Sequence, residues 1–475
     1  MSENKKIRAS VGYTIGNYLI KGLSFITIPI FSRILSQSDY GIYNTFSAYE
    51  SFLCIILGVA IHSSYKNARY KYGIKKEGHF KENFETYASN TIILIIINSI
   101  IWFLILSIFG EKISQLLAID KSLLPLLVLY AFGDAAILCF NSRASLNYEY
   151  TKFLKVAFAN VISNIVLSVL LILTCYQGHR YIGRAIGTAM PMFILGIIIA
   201  VGFFRMARPK DIRGYLSWGV RYSLPIVPHG LSQIILSQFD RIMINKLIGS
   251  LEAGVYSFGY NIYSIILVTY NSIDTVWAQW FYEKMHGNEK KTIKRISSIY
   301  MVLMLLFSSA VMLVSPELIV ILGSKKYSDS IYCVLPIVAG GYFSFLYTIP
   351  CEVEYYHEKT KYIAAGTMLA ALINIVTNYI FILKFGYVAA AYTTLGTYML
   401  YFLFHYFLAM KIQKENLFSN SIVLLCFVGI FISLFLSLLL INMSVIRWSL
   451  SIAMVGLMIG IEEKNIGILR NKKLL

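Results

Sequence analysis

Several ionisable residues interrupt the apolar segments of this chain, and they are where chemistry could occur. They are Lys21, Glu50, Asp134, Arg221, His229, Asp240 and Arg241. A charge within a membrane span is costly, so it needs a partner or a wet cavity. At about 1.5 Å of rise per residue and an apolar core of about 30 Å, Lys21 and Glu50 reach similar depths on consecutive antiparallel segments. That spacing permits a Lys21–Glu50 pair, either permanently satisfied or open to an anion. Asp134 suits the binding of a coupling proton or sodium ion, or it partners Lys21. Arg221 lies near a basic segment end, where it meets an anion or snorkels to headgroups. Asp240 and Arg241 are adjacent and cannot face one another on a helix, so each needs its own partner. A gate and a static interfacial contact are both open for them. His229 reads as a satisfied polar residue or a proton carrier. It follows Pro225 and Pro228, which predict a kink in the helix that carries them.

The elements that position these residues follow from composition. Of 475 residues, 57% are hydrophobic and 14% charged. Apolar runs of about 20 residues are the signature of spanning helices. Runs such as 91–108 and 422–441 lack the alternation of a β-barrel strand. The expected fold is all-α and polytopic. About fourteen helices are expected, near 11–33, 41–64, 88–109, 122–142, 154–175, 181–204, 217–245, 254–276, 296–322, 330–350, 362–383, 387–410, 420–441 and 445–461.

The net charge is +18, but its distribution argues against nucleic acid. Cations crowd alternate connections, such as Lys66, Arg69, Lys71, Lys75, Lys76 and Lys81, while the intervening ones hold few, such as Lys112 and Lys121. This asymmetry predicts both termini on the cytoplasmic side, with the basic connections against anionic lipid. The polar, basic residues 1–8 precede an apolar run without a small-residue cleavage site, which predicts an uncleaved first helix. The connections 65–87 and 277–295 read as charged helices at the membrane surface. The six cysteines are scattered, so no metal site or disulfide framework is expected.

One stretch repeats. Residues 32–43, S-R-I-L-S-Q-S-D-Y-G-I-Y, return as 245–256, N-K-L-I-G-S-L-E-A-G-V-Y. Gly41 and Gly254 are identical in the two copies, as are Tyr43 and Tyr256. Ser36 and Asp39 have capping-box spacing, and each tyrosine is expected at headgroup depth. A repeated bend predicts two related halves around a central site. The halves are 1–204 and 218–410, joined by a linker at 205–217. Residues 411–475 form an extra helix pair.

Phe31 through Tyr43 resembles the first-loop signature of bacterial polysaccharide exporters. Ser223, Leu224 and Pro225, then Asp240 and Arg241, then Gly249 and Gly254 through Tyr256, resemble a later part of the same pattern. So do Asn374–Asn378 and Phe385–Ala391. The resemblance is to the Wzx-type oligosaccharide flippases, which share a superfamily with the MATE drug exporters and the lipid II flippases. It implies two six-helix lobes around a cavity. It also implies a polyprenyl-pyrophosphate-linked oligosaccharide moved from the cytoplasmic to the outer leaflet by alternating access, for O-antigen- or capsule-type surface polysaccharide. Lys21 would then meet the pyrophosphate, with Glu50 holding or releasing it, and Arg221 would lie where the phosphate enters. Other polysaccharide-assembly proteins are possible partners in the bacterial cell membrane, and no cofactor is expected. A cation-coupled exporter of MATE type is the alternative. An enzyme would want a sizeable extracytoplasmic loop, and the nucleotide-binding pattern G-x-x-x-x-G-K-[ST] is absent.

Overall fold

A computed structural model describes residues 3–73 and 80–471. The described residues are helical with short turns and contain no strand. The chain forms two compact units, Met1–Gly254 and Val255–Leu475.

The first unit contains α1 (Glu3–Ile34), α2 (Gln37–Gly58), α3 (Tyr65–Gly73), α4 (Phe80–Ile108) and α5 (Gly110–Leu117). It continues with α6 (Leu123–Leu146), α7 (Tyr150–Thr174), α8 (Arg180–Met206), α9 (Ile212–Ser223) and α10 (Val227–Leu247). Helix α6 is central and packs against α8, α2 and α4. Small residues allow that approach. A Cβ on Gly133 of α6 would lie 2.2 Å from the Met192 carbonyl oxygen of α8.

The second unit takes most of α11 (Ser250–His286), then α12 (Lys290–Gly323), α13 (Ile331–Leu346) and α14 (Thr348–Tyr356). It ends with α15 (Thr360–Phe385), α16 (Val388–Gln413), α17 (Asn420–Leu439) and α18 (Ser444–Asn471). Helix α13 is buried along nearly its whole length and packs on α16, α12 and α17. It is apolar all round, as a helix with no solvent or lipid face should be.

All fourteen expected segments are helical, but fewer qualify as spans. Among the described residues, ten helices are long and apolar enough to cross a membrane. The number is eleven if α2 and the segment Ile61–Gly73, bent from it by 50°, count as one span. The shortfall has local causes. In α1 only Phe25–Ile34 appears as an apolar helix among the described residues. The segment 217–245 is interrupted, and α11 carries Asn261, Asn271 and Asp274. The expected surface helices at 277–295 are the ends of α11 and α12, which extend beyond their apolar parts.

Candidate functional site

The repeated bend folds against its own copy. Ser36 caps α2 through its Oγ, which accepts from the Asp39 N–H at 3.0 Å. The Asp39 carboxylate returns the bond to the Ser36 N–H at 3.2 Å, completing the expected capping box. One turn further, Gly41 lies against the second copy. A Cβ there would fall 1.9 Å from the Ser250 carbonyl oxygen and 2.7 Å from the Gly254 nitrogen. The relation is reciprocal, because a Cβ on Gly254 would fall 1.9 Å from the Gln37 carbonyl oxygen. Ser38 Oγ and Ser250 Oγ lie 2.5 Å apart beside this crossing. Glycine is kept in both copies because the two backbones touch.

The tyrosines of the motif turn toward protein. Tyr256 is fully buried, and Tyr43 stacks on a cation that sequence reasoning missed. Arg184 of α8 has its guanidinium 3.7 Å from the Phe31 ring centroid and 4.5 Å from that of Tyr43. It donates to Asn164, and to Ser168 Oγ at 2.8 Å. Its position inside an apolar segment was the available signal. Arg180, at the start of α8, donates to the Ile34 carbonyl at 2.6 Å. The first-loop signature is therefore clasped by α8 on one side and by its own repeat on the other.

Glu50 and Asp134 come together inside the first unit. Glu50 is 3% exposed on α2. Cys54, one turn along α2, and Asp134, on α6, complete a group whose ligand atoms all lie within 4.8 Å of one another. The Cys54 thiol and the Asp134 carboxylate are hydrogen-bonded. Among the described residues, Glu50 Oε1 accepts no hydrogen bond. Two buried carboxylates at this separation do not both ionise readily, so the group can share a proton or take a cation. Its two oxygens and a sulfur also form a donor set that could hold a thiophilic divalent ion. Cys54 was legible as the residue four positions after Glu50, which puts both on one helix face. Lys21 lies on α1, but its side chain falls outside the described residues, and with it the expected Lys21–Glu50 pair.

Close to this group, α2 ends in Val59 and Ala60, both in the left-handed region at φ 48° and 49°. That conformation is strained for a β-branched residue and makes the 50° bend.

The remaining expected residues scatter along the next elements. Pro225 and Pro228 break the helix instead of kinking it. Pro225 sits in the 3-10 turn Leu224–Ile226, and Pro228 lies in the first turn of α10. The missing proline N–H groups end the α-helical ladder there. His229 follows the break, partly exposed, with a buried Nδ1 that has no hydrogen-bond partner among the described residues. Arg221 is exposed near the end of α9. Asp240 is fully buried on α10, whereas Arg241 bonds Gln238 Oε1 at 2.5 Å on the same helix.

Two ion pairs were not foreseen. Arg143 is buried at the end of α6. It grips Glu85 of α4 with two hydrogen bonds, of 2.6 and 2.8 Å. Its third bond reaches Glu149 at 3.1 Å. Burial pushes Glu149 up, but Lys152 at 3.0 Å and the Arg143 charge outweigh it and hold the carboxyl below its ordinary value. In the second unit, Arg447 of α18 grips Glu317 of α12 at 2.7 and 2.8 Å.

Comparisons with known proteins agree with this architecture. A Haemophilus influenzae protein of the Lsg locus is 22% identical over 387 residues, spanning 78% of this chain and 90% of its own length. Among solved structures, the inward closed conformation of the lipid II flippase MurJ is similar with a TM-score of 0.71 at 14% identity. That likeness covers 96% of this chain and 99% of the other. An inward-facing multidrug resistance MATE family transporter of the MOP superfamily has a TM-score of 0.61 at 14% identity, covering 82% and 99% of the two chains. The fold is thus the polytopic all-α fold of these proteins. The family model described as polysaccharide biosynthesis protein matches residues 8–285, and the chain belongs to that family.

Proposed function

We propose that this protein carries a polyprenyl-pyrophosphate-linked oligosaccharide from the cytoplasmic to the outer leaflet of the bacterial cell membrane by alternating access. The reading rests on its membership of a polysaccharide biosynthesis family and on a fold shared with a lipid II flippase. The observation that carries it is the reciprocal packing of the repeated bend at Gly41 and Gly254. Two copies of one motif closing on each other make a junction that can shut one face of a passage and later part.

In this reading Lys21 and Arg221 meet the diphosphate, because a cation in a low-dielectric site binds it more strongly than in water. Glu50 and Asp134 bind the coupling proton or sodium ion. Asp240, Arg241 and His229 lie on the helix beyond the proline break and serve its opening. Both termini face the cytoplasm, the basic connections touch anionic lipid, and no bond is made or broken.

The test uses the purified protein in lipid vesicles loaded with a labelled polyprenyl-pyrophosphate oligosaccharide. Label should reach the outer leaflet faster than in protein-free vesicles, and Asp134→Asn should slow it. The buried Glu50–Asp134 group also suits an exporter of organic cations. Movement of small organic cations, with the glycolipid left in place, would establish that second reading and remove the first.

A further inference from the structure

The second unit holds a buried ionisable pair that the function above does not use. Glu354 lies on α14 and His405 on α16, two helices packed together. Glu354 Oε1 and His405 Nδ1 are 2.5 Å apart, and both side chains have 0% exposure. Among the described residues, their other polar atoms, Glu354 Oε2 and His405 Nε2, are buried without a hydrogen-bond partner. His405 Nε2 faces α15 at Gly366, where a Cβ would lie 3.2 Å away. Aromatic rings wall the imidazole, with Tyr401 at 4.6 Å, Phe404 at 5.1 Å and Tyr347 at 5.8 Å between centroids.

A buried pair that serves structure alone is stable when its remaining lone pairs and protons are satisfied. Arg143 and Glu85 meet that condition, because each Glu85 oxygen accepts a guanidinium bond. Glu354 and His405 leave half of their polar atoms open. With Nε2 protonated and a second proton shared between Nδ1 and Oε1, the pair has no net charge. Without it, a neutral imidazole faces a bare carboxylate, and an unpaired charge has been removed from water at high cost.

We propose that Glu354 and His405 form a proton-binding site that is loaded while buried and emptied when water reaches Glu354 Oε2 and His405 Nε2. The step is a simple transfer. One proton passes from the imidazole–carboxylate pair to water on the side that opens, no other bond changes, and rebinding reverses it. Other titratable groups stand on the elements that hold the pair. Cys351, Glu352 and Tyr355 share α14, Tyr347 stands at the α13–α14 junction, and Tyr401 shares α16. From α15, Thr367 bonds the Tyr401 hydroxyl at 2.8 Å, and Lys361 is exposed. At the same end of the unit, His357 is held by Gln413 at 2.8 Å. Burial of the pair between α14, α15 and α16 couples its proton to movement of these helices.

Proton binding stands without the transport reading, and only its use in coupling rests on that reading. The test takes the full-length protein in lipid nanodiscs, with nitrogen-labelled histidine, as wild type, His405→Gln, Glu354→Gln and the double variant. One imidazole signal should be missing in His405→Gln, should titrate in wild type, and should shift its titration in Glu354→Gln. In vesicles, a pH gradient should accelerate glycolipid movement by the wild type. That response should be lost in folded Glu354→Gln and in the double variant, whose paired amides keep the shape of the site. A His405 signal that does not titrate, or a gradient response retained by the double variant, overturns the proposal. If the wild type moves no glycolipid while His405 titrates, the transport reading fails and the proton site stands.

Discussion

Two buried carboxylates of the first unit are treated in opposite ways. Glu85 is enclosed by Arg143, which neutralises it and occupies both oxygens. Glu50 is equally enclosed, yet the described groups beside it include a second carboxylate, Asp134, and the Cys54 thiol. The first arrangement holds α4 to α6 and leaves nothing open to bind. The second stores unfavourable electrostatics between α2 and α6, which a proton or cation relieves. A buried charge is thus evidence of function only after its partners have been counted. Glu354 with His405 lies between these extremes, with one contact made and one left open on each partner.

The comparison can be broken most sharply at the satisfied pair. Arg143→Met should strand Glu85 as a buried charge and lower stability by about 3–5 kcal/mol, read as loss of melting temperature in detergent. Glu85→Met with Arg143→Met should recover most of it, because apolar replacement of both partners leaves no orphan. Failure to recover would mean that the pair does more than hold two helices.

Gly41→Ala comes next. Its Cβ must displace the Ser250 backbone, at a cost of about 1–3 kcal/mol to the closed bend. Cysteines placed at Ser38 and Ser250 should cross-link in the parent background and cross-link less when Gly41→Ala is added. At the unsatisfied pair the sign reverses. Glu50→Gln leaves one ionisable carboxyl in the enclosed group and should raise the melting temperature by an amount worth about 1 kcal/mol. The same change should abolish any ion-coupled transport. A fall in both quantities would identify Glu50 as one half of a satisfied pair with Lys21.

The smallest effect concerns the turn before α6. The Ser122 backbone N–H, at 2.9 Å, and the Tyr181 hydroxyl, at 2.8 Å, hold the Asp120 carboxyl below its ordinary range. A carboxyl lowered on folding stabilises above its unfolded value and loses that contribution as pH falls through its folded value. Hydrogen exchange at the Ser122 amide should therefore gain a protection loss in acid. Asp120→Asn should remove that acid step and leave neutral pH nearly unchanged.

Much of this molecule was legible in one dimension. Apolar runs of spanning length determined where helices form, because a backbone in lipid must satisfy its own hydrogen bonds. The prolines at 225 and 228 marked an interruption, although sequence predicted a bend where the structure has a 3-10 break. The repeat at 32–43 and 245–256 identified Gly41 and Gly254 as matched positions, and the Ser36–Asp39 cap was readable because its partners are three residues apart.

What sequence could not supply was which distant side chains meet. Glu85 and Arg143 lie in different elements, 58 positions apart, and no local pattern links them. Arg184 lies against the rings of Phe31 and Tyr43, which come from other helices. Hydrophobicity and backbone hydrogen bonding act along a single helix, so the chain determines its helices locally. Burial of a charge depends on the neighbour that shares its cavity, so tertiary packing decided which carboxylates are silent and which are left to bind.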